Sequence, residues 1–156
     1  MSNRLSRRRY VLAGGAVTLG ALAGCAGGDG DDGADDVPAA IDEFLTDARL
    51  YDGTIADHTG SDEVVVDVGG GGDGLAFDPP AIRIDSGTTV RWEWTGEGGA
   101  HNVVSDAESD FEFSSGDQVD DPDATFEHTF DDAGIGLYVC EPHASVGMLG
   151  GIDVID

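Results

Sequence analysis

The sequence predicts an all-β sandwich or barrel, preceded by one short helix and by an N-terminal export signal and tether. Three observations carry that prediction. From Glu63 onward, apolar residues recur with a period of two, the pattern of half-buried strands. The runs are short and are separated at regular spacing by Gly-, Pro- and Asp-rich turns, as in sandwiches. Ahead of Glu63, only the stretch that Pro38 opens has helical spacing, and it extends to Ala48.

Residues 1–24 read as a leader rather than as part of the fold. Ser6-Arg7-Arg8-Arg9-Tyr10-Val11 resembles a twin-arginine export motif. Val11 to Gly24 is weakly apolar and shorter than the roughly 20 residues a membrane-spanning helix needs. It ends in Leu22-Ala23-Gly24-Cys25, which resembles a lipobox, a signal in which cleavage precedes the Cys and its thiol carries lipid. The expectation is an exported protein held at the outer face of the cell membrane by lipid on Cys25.

Residues 25–50 read as an acidic tether followed by the helix. Ala26 to Asp36 is a Gly/Asp spacer with nothing to bury. Its Asp spacing lacks the Glu that an EF-hand loop has at its twelfth position. After Pro38, Ile41, Phe44, Leu45 and Ala48 fall on one helical face, enough for one to three turns on the edge of the domain. The domain itself is read as residues 51–156, with His58 in a polar, solvent-facing turn.

Val64, Val66 and Val68 share one face of the first long strand, which the Gly69–Gly74 run ends. No Gly-Lys-Ser/Thr follows that run, so it is a loop and not a phosphate cradle. Ala81 to Asp85 forms the next strand, between Pro79-Pro80 and Ser86-Gly87. Thr89 to Thr95 sets Val90, Trp92 and Trp94 on one face, and the tryptophans read as core. His101 to Val104 follows a glycine-rich loop. Phe126, His128 and Phe130 share a face, with His128 a structural histidine. Gly136 to Cys140 and Gly151 to Ile155 complete the set.

Charge narrows the function. Thirty-two Asp and Glu stand against seven basic residues, all Arg, for a net charge of −25. Four of those arginines precede the first acidic residue, Asp29, which leaves Arg49, Arg83 and Arg91 for the rest of the chain. Nucleic acid is excluded as a partner, because phosphate binding needs clustered Lys and Arg. With 40% hydrophobic residues in alternating runs, the chain has a core to bury and is not disordered. An acidic, lysine-free surface suits solution in concentrated salt, where self-repulsion is screened.

Cys140-Glu141-Pro142-His143-Ala144-Ser145-Val146-Gly147-Met148 carries the chemistry. It holds a thiolate, an imidazole and a thioether within nine residues, and His101 upstream supplies a second imidazole. Two His, one Cys and a weak axial Met are the ligands of a blue-copper electron-transfer site. The choice is narrow: Met148 is the only methionine after Met1, and Cys140 the only cysteine after Cys25. With Cys25 lipidated, Cys140 has no disulfide partner. Zinc held by one Cys and two His keeps a water for hydrolytic or Lewis-acid chemistry, so a neighbouring Met argues for copper. The metal ligands expected are therefore His101, Cys140, His143 and Met148.

Three function classes compete. An electron shuttle needs four protein ligands and no open position, as here. A copper-handling lipoprotein, chaperone or store, shows Met-rich or multi-Cys tracts for ligand exchange, and these are lacking. A catalytic copper domain needs a second centre with further histidines, and only His58 and His128 remain. The reading is a carrier, not an enzyme, exchanging electrons with redox donors and acceptors of the respiratory chain. It is expected to be a monomer that docks through apolar residues around His143: Pro142, Ala144, Val146 and Leu149.

From Tyr51 to Asp156 the chain resembles the halocyanins, small blue copper proteins of halophilic archaea related to plastocyanin. The resemblance rests on Phe77-Asp78-Pro79-Pro80, Thr89 to Gly99, His101-Asn102, Phe126 to Phe130 and Tyr138 to Gly150. It implies a Greek-key, cupredoxin-like β-sandwich or barrel with one copper per chain, and the same four ligands. It also implies that Asn102 ties the two ligand loops together by hydrogen bonds, and such partners orient ligands and tune the metal. Pro142 lacks the N–H that could otherwise bond the Cys140 sulfur, which favours a high potential. Met148-Leu149-Gly150 departs from the family's commoner Met-Lys-Gly and removes a surface charge beside the site.

Overall fold

Period-two alternation becomes two facing sheets. The computed structural model describes residues 36–156. The twin-arginine motif, Cys25 and most of the spacer lie outside the described residues. A helix, α1 (Ala39–Phe44), is followed by β1 (Ala56–Asp57), β2 (Glu63–Gly70), β3 (Ala76–Asp78), β4 (Ala81–Asp85) and β5 (Thr88–Trp94). Then come β6 (Val104–Ser105), β7 (Thr125–Phe130), β8 (Gly134–Val139), a 3₁₀ helix (Glu141–Val146) and β9 (Leu149–Ile155). One sheet has the order β1-β4-β9-β8-β6 and the other β3-β2-β5-β7.

The predicted faces are the buried ones. On β2, Val64, Val66 and Val68 are buried while Glu63, Val65 and Asp67 are exposed. On β5, Val90, Trp92 and Trp94 point inward with Thr88. Parallel pairing sets Val64 beside Val90, Val66 beside Trp92 and Val68 beside Trp94, so one face of each strand enters the same core. Trp92 lies at its centre, with ring centroids 5.5 Å from Phe113, 5.4 Å from Phe126 and 5.4 Å from Tyr138. His128 is half-buried against Phe113 and Phe130, at 5.1 and 4.8 Å between centroids, and this desolvation lowers its pKa.

The helix packs on the edge of the folded body, as its apolar spacing predicts. Ile41 and Leu45 are fully buried in a second cluster with Ala48, Ile55, Ala81 and Leu137. The reason lies in β8, which is covered on both sides: Tyr138 faces the sandwich core while Leu137 faces the helix. Gly151 on β9 permits the contact, since a Cβ there would stand 2.8 Å from Cγ2 of Ile41. Two short strands, β1 and β3, are not apparent in the sequence. His58 is half-buried in an otherwise exposed turn, and its backbone N–H donates to the Arg83 carbonyl at 2.8 Å.

Each of the three arginines in the described residues is paired with acid: Arg49 with Asp73, Arg83 with Asp153, and Arg91 with Glu63 and Glu93. The Arg83–Asp153 pair, at 2.7 Å, is mostly buried and joins neighbouring strands β4 and β9. The others are substantially exposed, and pairs of that kind contribute about 0–1 kcal/mol.

Candidate metal centre

Strand parity aims Cys140 inward. Residues two apart on a strand share a face, so Cys140 continues the Tyr138 side of β8, and both are fully buried. The β8–β9 ladder ends at Val139↔Leu149, which leaves Cys140 and Met148 side by side at the mouth of the connecting loop. The Cys140 N–H donates to the Met148 carbonyl at 3.1 Å and the Met148 N–H to the His143 carbonyl at 3.1 Å. A further bond from the His143 N–H to the Cys140 carbonyl, 3.0 Å, curls the loop into its 3₁₀ helix and brings His143 over the thiol. Gly147 closes that helix with φ of 92°, a left-handed conformation in which a side chain is strained.

His101 comes from the opposite sheet's connection. It forms a bridge with Val119, its N–H donating at 2.8 Å and its carbonyl accepting at 3.0 Å. That carbonyl also accepts from the Trp94 indole at 3.0 Å. The His101 Nε2 lies 2.7 Å from the Glu97 carbonyl. A carbonyl only accepts, so Nε2 carries the proton and Nδ1 presents its lone pair to the interior.

Three donor atoms meet there. The two Nδ1 atoms of His101 and His143 are 3.0 Å apart, and each lies 3.6 Å from the Cys140 sulfur. A point about 2 Å from all three follows from those distances, matching the 2.0–2.3 Å at which imidazole nitrogen and thiolate sulfur bind a metal ion. His101 and Cys140 are buried and His143 is half-exposed. Met148 is fully buried in the same core cluster as Cys140. Imidazole and thiolate donors with no carboxylate in the group favour copper over oxygen-seeking ions. Burial raises the Cys140 thiol's pKa and lowers that of His143, the latter helped by the neighbouring His101. Metal uptake at neutral pH must therefore displace the thiol proton.

Asn102 joins the two loops. Its Oδ1 accepts from the Glu141 N–H at 3.0 Å, and its Nδ2 donates to the Glu141 carboxylate at 2.6 Å and to the Gly116 carbonyl at 3.3 Å. Pro142 sits in the first turn of the 3₁₀ helix and has no N–H to offer. His58 and His128 are not in the donor group. Leu149 faces away from the surface expected around His143: it packs against the helix cluster, because β9 turns that side toward Ile41 and Leu45. Arg49, which the sequence reading passed over, contacts the ligand loop. The one signal in the sequence is the scarcity of basic residues.

Comparison with known proteins shows the family. Residues 63–155 match the model of the copper-binding proteins of the plastocyanin/azurin family. The chain belongs to that family, with copper as its cofactor, and it is an electron carrier. It is 57% identical to halocyanin from Natronomonas pharaonis over 96% of this chain and 98% of that protein. It is 35% identical to plastocyanin from Scenedesmus fuscus over 59% of this chain and 99% of that protein. Among solved structures, pseudoazurin from Methylobacterium extorquens AM1 matches 61% of this chain and 76% of its own, at 26% identity and a TM-score of 0.48.

Replacing Asn102 by Ala removes all three bonds and strands the Glu141 N–H. The expected loss is about 1–3 kcal/mol in the metal-free protein, read from urea denaturation in molar salt. An unchanged midpoint would show that the two loops are held together without it.

Proposed function

We propose that the chain is a type 1 copper electron carrier tethered to the outer face of the cell membrane. Its ligands are His101, Cys140 and His143, with Met148 as the axial donor. The observation that carries the reading is the 3.0, 3.6 and 3.6 Å triangle of two imidazole nitrogens and one thiol sulfur, with Met148 adjacent in the core. Copper supplies one-electron chemistry when bound. The chain's residues hold the donors on two loops that Asn102 ties together, which limits rearrangement between oxidation states.

The direct test of the ligand set is Cys140→Ser. The oxidised, copper-loaded protein is expected to show an intense visible thiolate-to-copper band that bleaches with reductant, and the variant is expected to lose it. A variant that keeps the band would sink the assignment.

Anchoring rests on Leu22-Ala23-Gly24-Cys25 and the arginine motif ahead of it. Cys25→Ser should free the exported protein from the membrane fraction without altering its spectrum, since tether and site are separate segments. A variant that sediments with membranes after export would refute the lipid anchor.

Partners are redox proteins of the respiratory chain, met through the His143 edge. His143 is the half-exposed member of the donor group, and Val146 and Val119 beside the site are 46% and 37% exposed. In about 1 M salt the Debye length is near 3 Å, so apolar contact outweighs charge steering. Val146→Asp is expected to slow oxidation of the reduced protein by isolated respiratory membranes in molar salt, with the potential unchanged. Neutralising Asp120, Asp121 and Asp123 should leave that rate nearly untouched. The opposite ordering would place the docking site on the acidic patch.

A further inference from the structure

Arg49 lies outside the segment that matches the copper-binding family, yet it holds the part of the ligand loop that precedes Met148. Its backbone N–H donates to the Gly147 carbonyl at 2.8 Å and its Nε to the Val146 carbonyl at 2.9 Å. Its other end pairs with Asp73 in the glycine-rich loop after β2. One side chain thus links three places distant in sequence: the segment after α1, the loop after β2 and the loop between β8 and β9.

The fit at this contact is close. A Cβ on Gly147 would come 2.5 Å from the Asp47 carbonyl oxygen, so the ligand loop lies flush against the helical segment's exit. The next residue, Leu50, has a φ of 65°, a strained conformation that a leucine rarely adopts. The chain accepts that strain where it turns away from the clamp. Below the contact, Ile41 and Leu45 are fully buried against the sandwich, so the segment that presents Arg49 is fixed.

The Arg49–Asp73 pair is exposed on both sides, 38% and 47%, and salt screens it. What remains in molar salt is the pair of bonds to the Val146 and Gly147 carbonyls. Those carbonyls directly precede the expected axial donor, and the axial ligand is a lever on the potential of such a site. We infer that Arg49 is a positioning residue that sets the approach of Met148 to copper, through a brace built from the N-terminal segment. This inference rests on Met148 being axial.

The test is a double-mutant cycle in molar salt. Arg49→Ala should raise the reduction potential in the direction of Met148→Leu, because a receding thioether stabilises Cu(II) less. In the Met148→Leu background, Arg49→Ala should add no further rise, since the donor it acts through is gone. Arg49→Lys should shift the potential in the same direction by less: both variants keep the backbone bond to Gly147, but the Lys ammonium can still donate to the Val146 carbonyl or to Asp73, while Ala can do neither. In the metal-free protein, amide exchange at Gly147 and Met148 should accelerate about tenfold in Arg49→Ala. A lowered melting temperature with a wild-type potential in both Arg49 variants overturns the inference, as does an equal shift in both backgrounds. If Met148→Leu leaves the potential unchanged, the axial assignment itself fails, an outcome separate from the failure of the brace.

Discussion

Everything at the functional end of the molecule depends on how β8 and β9 hand over to the loop between them. Their antiparallel ladder stops at Val139↔Leu149, and the Cys140 N–H to Met148 carbonyl bond closes the loop immediately beyond it. That closure sets Cys140 and Met148 side by side along the backbone, both buried in one core cluster. Nine residues are enough because the loop spends its length on a short 3₁₀ helix, whose first turn returns His143 over Cys140. A metal site then needs one more donor, and the opposite sheet provides it through His101.

The supports around that loop differ in kind. Asn102 joins the His101 and Cys140 segments with two hydrogen bonds to Glu141 and ties both to the Gly116 carbonyl with a third. The Trp94 indole and the Val119 bridge hold the His101 backbone, and the Glu97 carbonyl selects its tautomer. On the outer side, the N-terminal segment packs by apolar burial at Ile41 and Leu45 and by Arg49 at the loop's backbone. The donors therefore sit on loops, but the loops are clamped from both sides by rigid elements. Rigidity of that sort suits a carrier, whose exchange rate suffers when ligands must move between oxidation states.

The surface follows a separate logic. With 32 acidic residues and each described arginine engaged by a carboxylate, the exterior is a dense negative field that only salt makes tolerable. Under that screening, exposed ion pairs add little, and apolar packing with backbone hydrogen bonds carries the fold.

Much of this was legible in the residues themselves. Alternation marked β2, β5 and β7 with the faces they turn inward, because a strand's side-chain period is fixed by its own backbone. The donor types were legible because Cys140 and Met148 are nearly unique in the chain and because the spacing of Cys140, His143 and Met148 is local. Other features depended on contacts between segments far apart. The parallel partners of β1 and β4, the Val119 bridge to His101 and the turning of Leu149 toward the helix arise only once two sheets and a helix compete for the same space. Arg49 is the extreme case: 97 residues separate it from Val146, and nothing near it in sequence hints at a ligand loop. The sequence by itself determined strand faces, donor chemistry and surface charge, which are properties of single residues and short periods. Tertiary structure alone decided which donors meet, at what distances and under which braces, because those depend on where packing brings remote backbone together.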